Sequence, residues 1–84
     1  MNTVTTRRSA TLVLTMEQRL ARCATPMTKH QLFGALTGNG RLSINGIPVI
    51  LSAIMREDGS GSSFILTVYS MDNNSYRCYC RTID

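Results

Sequence analysis

The stretch INGIPVILSAIMR, residues 44–56, decides between two folds for this chain. Asn45-Gly46 between apolar residues is the strongest short-range signal of a β-hairpin, and it predicts that Ile47–Arg56 is a strand. The same stretch also carries apolar residues at i, i+3, i+4 and i+7, the spacing of one face of an α-helix. Those residues are Ile47, Ile50, Leu51 and Ile54. Both assignments are open at this point.

The strand assignment agrees with the C-terminal third of the chain. Turn-forming residues cluster at 58–61 (DGSG) and at 72–75 (DNNS). The runs between and after these clusters, 63–71 and 76–83, are rich in β-branched and aromatic residues. We therefore predict an α+β fold, with two N-terminal helices packed on an antiparallel meander of three to four strands.

Two capping-box spacings predict where the helices begin. Thr15 stands three residues before Gln18, and Thr28 stands three residues before Gln31. Pro26 separates the two helices, because the residue before a proline avoids the α region. The apolar residues of 9–24 recur at helical spacing from Leu12 onward, so an earlier start of the first helix is open. If the helix begins at Thr15, residues 11–14 are a short β stretch. We predict that residues 1–8 are a flexible N-terminal tail and that 9–84 form a single domain.

If residues 47–56 are instead helical, the order becomes three helices and a β-hairpin. That order resembles a winged helix-turn-helix domain, with residues 27–32 in the second helix and 49–55 in the third. Residues 63–83 would form the hairpin wing. The resemblance implies a DNA-binding transcriptional regulator. The residues it places at DNA are Lys29, Arg41, Ser43, Asn45, Arg56, Asn73 and Asn74.

The composition describes one small, basic domain. The chain has 84 residues and a net charge of +4, with nine Lys and Arg against five Asp and Glu. An excess of arginine favours anionic partners or a solvated basic surface. No run approaches the 18 apolar residues of a membrane span, and three cysteines do not suggest a disulfide framework. We expect a reduced, cytoplasmic protein with no membrane partner.

No residue cluster indicates an enzyme. Cys78 and Cys80 would share one face of a strand and could join Cys23 and His30 around a metal, but zinc knuckles use a longer C-x₂₋₄-C spacing on turns. Buried apolar thiols are the simpler interpretation. His30 has no nucleophile motif near it. We predict no catalytic residue, metal, cofactor or small-molecule substrate.

The last two strands carry the candidate binding surface. Arg77, Tyr79 and Arg81 alternate with the cysteines, and residues 62–68 are apolar on both faces. A strand that is apolar on both sides needs two covers, of which the helices supply one. The sequence predicts a small accessory or regulatory protein that binds a protein, or a second copy of itself as a homodimer, through its sheet face. The predicted contact residues are Ile65, Tyr69, Arg77, Tyr79 and Arg81. Nucleic acid is an alternative partner, because arginines beside an aromatic ring can hold phosphates and stack a base.

Overall fold

A computed structural model describes residues 13–57, 59 and 61–83. It contains two short helices followed by a four-stranded antiparallel sheet in the order β1-β2-β3-β4. The predicted α+β class and the antiparallel meander are confirmed. The elements are α1 (Met16–Leu20), α2 (Lys29–Thr37), β1 (Arg41–Ile44), β2 (Ile47–Arg56), β3 (Ser63–Ser70) and β4 (Ser75–Arg81).

The winged-helix alternative is wrong, because residues 49–55 lie within β2 and form no third helix. The helical spacing has a different origin. Val49 and Leu51 both face the core, as alternate strand residues do, but a register shift between Leu51 and Ala53 leaves Ser52 unpaired. This β-bulge inserts one residue, so the next inward residue is Ile54, three positions after Leu51 rather than two. A bulged strand thus reproduces part of a helical pattern.

The hairpin between β1 and β2 forms at Asn45 and Gly46, as predicted. Their φ angles are 54° and 80°, both in the left-handed region that a two-residue type I′ turn requires. Pro48 is tolerated near the start of β2. It lies opposite Ser43 of β1, and on its other side the pairing of β2 with β3 begins only at Val49. Its missing N–H therefore costs no ladder bond.

Both predicted capping boxes are present. The Thr15 side chain accepts from the Gln18 N–H at 3.1 Å, and the Gln18 side chain accepts from the Thr15 N–H at 2.9 Å. Thr28 and Gln31 repeat this arrangement at 3.0 and 2.9 Å. The predicted tail at 1–8 lies outside the described residues. So do residues 11 and 12 of the predicted β stretch, and residues 13 and 14 belong to no strand.

The core lies on one face of the sheet. Leu20 of α1 and Leu32 of α2 are completely buried in one cluster with residues from all four strands. Alternation along each strand supplies the inward residues. They include Ile44, Ile47, Val49, Leu51, Phe64, Leu66, Val68, Cys78 and Cys80.

The turn between β3 and β4 is organised by Asp72. Its carboxylate accepts from the Ser70 hydroxyl, from the Asn74 N–H at 3.0 Å and from the Tyr76 hydroxyl at 2.8 Å. These bonds favour the charged form and lower the pKa of Asp72 from 3.8 to about 2. Asn73 adopts a positive φ of 68°. The predicted wing is thus a tight turn within the sheet.

Among the described residues, no helix is both long and apolar enough to cross a membrane.

Candidate functional site

The sheet presents a second face, directed away from the core cluster, which we call the open face. Because strand residues alternate, the residues between the inward ones on each strand point to this side. Its large side chains are substantially exposed: Ile50 by 36%, Met55 by 64%, Tyr69 by 43% and Tyr79 by 39%. Among the described residues, the open face therefore exposes large apolar side chains to solvent.

Two apolar rows cross the open face. Tyr79, Ile65 and Met55 lie directly opposite one another on β4, β3 and β2. Tyr69 of β3 and Ile50 of β2 form the second row. The rows are four residues apart along β3, or about 13 Å at the rise of a strand. A partner that covered both rows would span most of the sheet.

Arginines border these rows. Arg77 and Arg81 stand two residues to either side of Tyr79 on β4, on the same face and about 6.6 Å away along the strand. Arg22 is the bridge partner of Tyr79 and so shares its side of the sheet. Arg41 lies at the opposite edge, beside Ile50. Within residues 13–57, 59 and 61–83, none of the four forms an ion pair.

The C-terminal part of the β4 edge, from Tyr79 to Arg81, is covered by the chain itself. Residues 21–27 run parallel to it: the Cys23 N–H donates to the Tyr79 carbonyl and the Tyr79 N–H donates to the Ala21 carbonyl, each at 2.9 Å. Further along, the Met27 N–H donates to the Arg81 carbonyl at 3.2 Å. This pairing occupies backbone groups of Tyr79 and Arg81 that an added strand would need, which disfavours strand addition at this part of the β4 edge.

The β1 edge is short and partly blocked. β1 has four residues, and the Arg41 N–H is occupied by the Asn39 side-chain oxygen at 2.9 Å. Short edges with a satisfied N–H resist pairing with another chain. Recognition by the sheet is therefore favoured at the open face rather than at either edge.

The structure brings the five predicted sheet residues together on the open face. Arg77, Tyr79 and Arg81 alternate outward on β4, and Ile65 and Tyr69 do so on β3. The expectation of a strand that is apolar on both sides holds for β3, where Phe64 and Leu66 are buried in the core.

The residues assigned to DNA under the alternative do not form one surface on a recognition helix. Lys29 is in the first turn of α2, and Arg56 ends β2. Asn45 lies at the turn before β2, at the other end of that strand. Asn73 and Asn74 lie in the turn after β3, and Arg41 and Ser43 lie on β1.

Three cysteines meet at the β4 edge. Cys78 and Cys80 are buried in the core and Cys23 is half-buried against it, all as free thiols. Burial raises the pKa of Cys78 to about 12 and that of Cys80 to about 11, and the neighbouring Cys23 adds to both shifts. No group of three His, Cys, Asp or Glu residues placed to hold a metal is found in the described part of the chain.

Sequence reasoning missed Arg22, Ile50 and Met55 as members of the open face. The bulge at Ser52 could not be located from the sequence, so the outward side of β2 was undefined. Arg22 belongs to no predicted strand. It reaches the sheet only because its segment, residues 21–27, runs along β4. Comparison with protein-family models, curated proteins and solved structures gives no match to this chain.

Proposed function

We propose that this chain is a small accessory or regulatory protein that binds a partner protein through the open face of its sheet and catalyses no reaction. The observation that carries the proposal is the pair of apolar rows, Tyr79–Ile65–Met55 and Tyr69–Ile50, on a single-layer sheet, in which every member except the half-buried Ile65 is exposed. Exposed apolar patches bordered by polar residues mark interaction sites. Cytoplasmic location is part of the proposal, because three free thiols suit a reducing compartment.

The size of the open face suits a small protein interface. Four strands at about 4.8 Å spacing and eight residues of about 3.3 Å give a projected area of roughly 500 Å². A standard interface buries about 800 Å² on each partner. Tyrosine and arginine are the residue types that most often dominate binding energy at interfaces, and Tyr79 lies between Arg77 and Arg81.

The positive charge around the open face favours a partner surface that carries carboxylates. Arg22, Arg41, Arg77 and Arg81 are exposed around the apolar rows. Two acids are nearby among the described residues: Glu57, placed beside Ser63 by a 2.9 Å backbone hydrogen bond, and Glu17, which lines a cavity with Thr67 and Arg77. A complementary surface carries apolar side chains bordered by carboxylates. The same charge disfavours the homodimer in which two open faces meet, because four arginines on each copy would approach one another.

A charge-reversal series tests this proposal. The tagged full chain is used to capture partners from its source cell, the captured protein is purified, and its Kd is measured by calorimetry. Arg77→Glu is expected to weaken binding at least tenfold, because it removes an attraction and adds a repulsion. Tyr79→Ala is expected to do the same through lost apolar contact.

The matched control is Arg19→Glu, which makes the same charge change on an exposed residue of α1 rather than on a strand of the sheet. It should leave Kd within twofold of the wild type. If Arg19→Glu weakens binding as much as Arg77→Glu, or if Tyr79→Ala has no effect, the open face is not the binding surface. Light scattering on the eluting peak reports whether a homodimer forms.

Single-stranded nucleic acid is a second candidate, because Arg77 and Arg81 flank Tyr79 as phosphate ligands would flank a stacked base. The aliphatic residues Met55, Ile65 and Ile50 favour the protein partner, since they offer no ring for stacking. A fluorescent 12-nucleotide oligo-dT distinguishes the two. Micromolar binding that weakens steeply with salt and is lost in Tyr79→Ala supports nucleic acid. Salt-dependent binding that Tyr79→Ala leaves intact is only general attraction to a basic chain.

A further inference from the structure

Cys23 and Cys80 are neighbours across the β4 edge. Arg22 is the parallel bridge partner of Tyr79, and Cys23 and Cys80 each come one residue after this bridge on their own segment. The Cys23 N–H donates to the Tyr79 carbonyl at 2.9 Å and holds the two backbones together at this point. The Cys23 thiol donates to the Thr25 carbonyl at 2.9 Å, and Cys23 is close enough to Cys80 to be among the groups that raise the pKa of Cys80. At the adjacent Arg22–Tyr79 bridge, paired backbones are about 4.8 Å apart, and disulfides adopt Cα separations of about 4.4–6.8 Å.

One of the two thiols is accessible to reagents. Residues 23–26 leave the edge of β4 between two parallel bridges, Arg22–Tyr79 and Met27–Thr82, and a cavity of about 360 Å³ opens there. Cys23 and Cys80 both line it, together with Arg22, Pro26 and Arg81. Cys23 is half-buried, whereas Cys80 is only 2% exposed. A small oxidant therefore meets Cys23 first.

We propose that Cys23 and Cys80 are a redox-active dithiol that closes to an intramolecular disulfide on reaction with a small disulfide such as oxidised glutathione. The Cys23 sulfur attacks one sulfur of oxidised glutathione, whose S–S bond breaks and releases one glutathione thiolate. The Cys80 sulfur then attacks the Cys23 sulfur of the mixed disulfide and releases the second glutathione. Two protein thiols are oxidised, one glutathione disulfide is reduced to two thiols, and the two protons end on glutathione or solvent.

Cys78 does not take part. It is completely buried and lies two residues before Cys80 on the same strand face. A bond between Cys23 and Cys80 fastens residues 21–27 to β4 and closes a loop of about 58 residues, which restricts the unfolded chain. Arg22 and Tyr79, one residue before each cysteine, would be fixed at the border of the open face. This inference is independent of the proposed binding function.

The closing step should depend on pH. The pKa of Cys80 is about 11, chiefly because of burial, so its thiolate is a small fraction at pH 7. That fraction rises about tenfold per pH unit below the pKa. If attack by Cys80 limits the rate, disulfide closure should accelerate by close to tenfold per unit between pH 7 and 9.

The test is oxidation of the folded full chain with oxidised glutathione, followed by intact-mass measurement and peptide mapping. The expected product is a monomer 2 Da lighter, with a linked peptide pair containing Cys23 and Cys80. Its melting temperature should exceed that of the reduced protein by roughly 10 °C. Cys78→Ala should still form the link, whereas Cys23→Ala and Cys80→Ala should not.

Several results would overturn the proposal: an unchanged mass, a stable glutathione adduct on Cys23, a link from Cys23 to Cys78, or a disulfide-linked dimer. A lower melting temperature after oxidation would show that the bond strains the fold rather than fastening it. Peptide mapping of the wild-type chain identifies the linked pair directly, so the test stands even if a cysteine variant does not fold.

Discussion

The Asn45 side chain connects the β1–β2 hairpin to residues 19–24, which lead into the segment along β4. Replacing Asn45 should therefore lower the stability of the fold. Its side-chain amide donates to the carbonyls of Arg19 and Arg22, each at 2.8 Å. Its side-chain oxygen accepts from the Ala24 N–H, also at 2.8 Å. These three bonds join residues 21 to 26 positions apart in sequence, while the Asn45 backbone holds the positive φ of the turn.

The magnitude of the loss can be worked from these contacts. A net hydrogen bond contributes about 1 kcal/mol, and less where the group is exposed, as Asn45 is. Asn45→Gly removes all three bonds but keeps the positive φ without strain, so we expect a loss of about 2 kcal/mol in unfolding free energy. Asn45→Ala adds the cost of placing a Cβ in the left-handed region, about 1 kcal/mol more. A domain of this size has a total stability on the order of 4–12 kcal/mol, so either loss is large.

Urea denaturation followed by far-ultraviolet circular dichroism measures the effect. With a slope of about 1 kcal/mol per molar, Asn45→Gly should lower the midpoint by about 2 M, and Asn45→Ala by about 3 M. Hydrogen exchange gives a local readout, because the Ala24 amide should lose protection in both variants. A midpoint for Asn45→Gly within about 0.5 M of the wild type, with Ala24 still protected, would refute the assigned role of this side chain.

Three further outcomes are expected. Leu66→Ala should cost about 2–5 kcal/mol in urea unfolding, because it leaves a cavity at a completely buried position, whereas Met55→Ala on the open face should cost under about 0.5 kcal/mol. Thr28→Ala should cost about 1 kcal/mol by removing the capping box of α2, again measured by urea unfolding. The folded-state pKa of Asp72, about 2, lies below its ordinary 3.8, so its contribution to stability is present above about pH 4 and is lost as pH falls toward 2. Unfolding midpoints between pH 2 and 5 should show this dependence, and Asp72→Asn should flatten it.

Each of these has a matched comparison. Equal losses for Leu66→Ala and Met55→Ala would mean that the two faces of the sheet are not differently buried. Gln31→Ala should cost little in the Thr28→Ala background, since the two side chains form one reciprocal cap. A wild-type pH profile identical to that of Asp72→Asn would show that the turn bonds do not form in solution.

The sequence determined the local features of the fold, because their causes lie within a few residues. Thr15 with Gln18 and Thr28 with Gln31 began the helices where predicted, since each cap is complete within four residues. Asn45-Gly46 formed the hairpin because few residue pairs adopt two positive φ angles in succession. The outward placement of Arg77, Tyr79 and Arg81 resulted from alternation along one regular strand.

Tertiary structure alone decided the features that depend on contacts between distant residues. The bulge at Ser52 is fixed by pairing with β3, so no local signal separated a bulged strand from a helix at residues 47–56. Arg22 and Cys23 lie near Tyr79 and Cys80, 57 positions away in the chain, only because residues 21–27 run along β4 in the folded protein. Register and edge pairing are set by the simultaneous burial of many side chains on one face, and that burial exists only once the sheet has assembled.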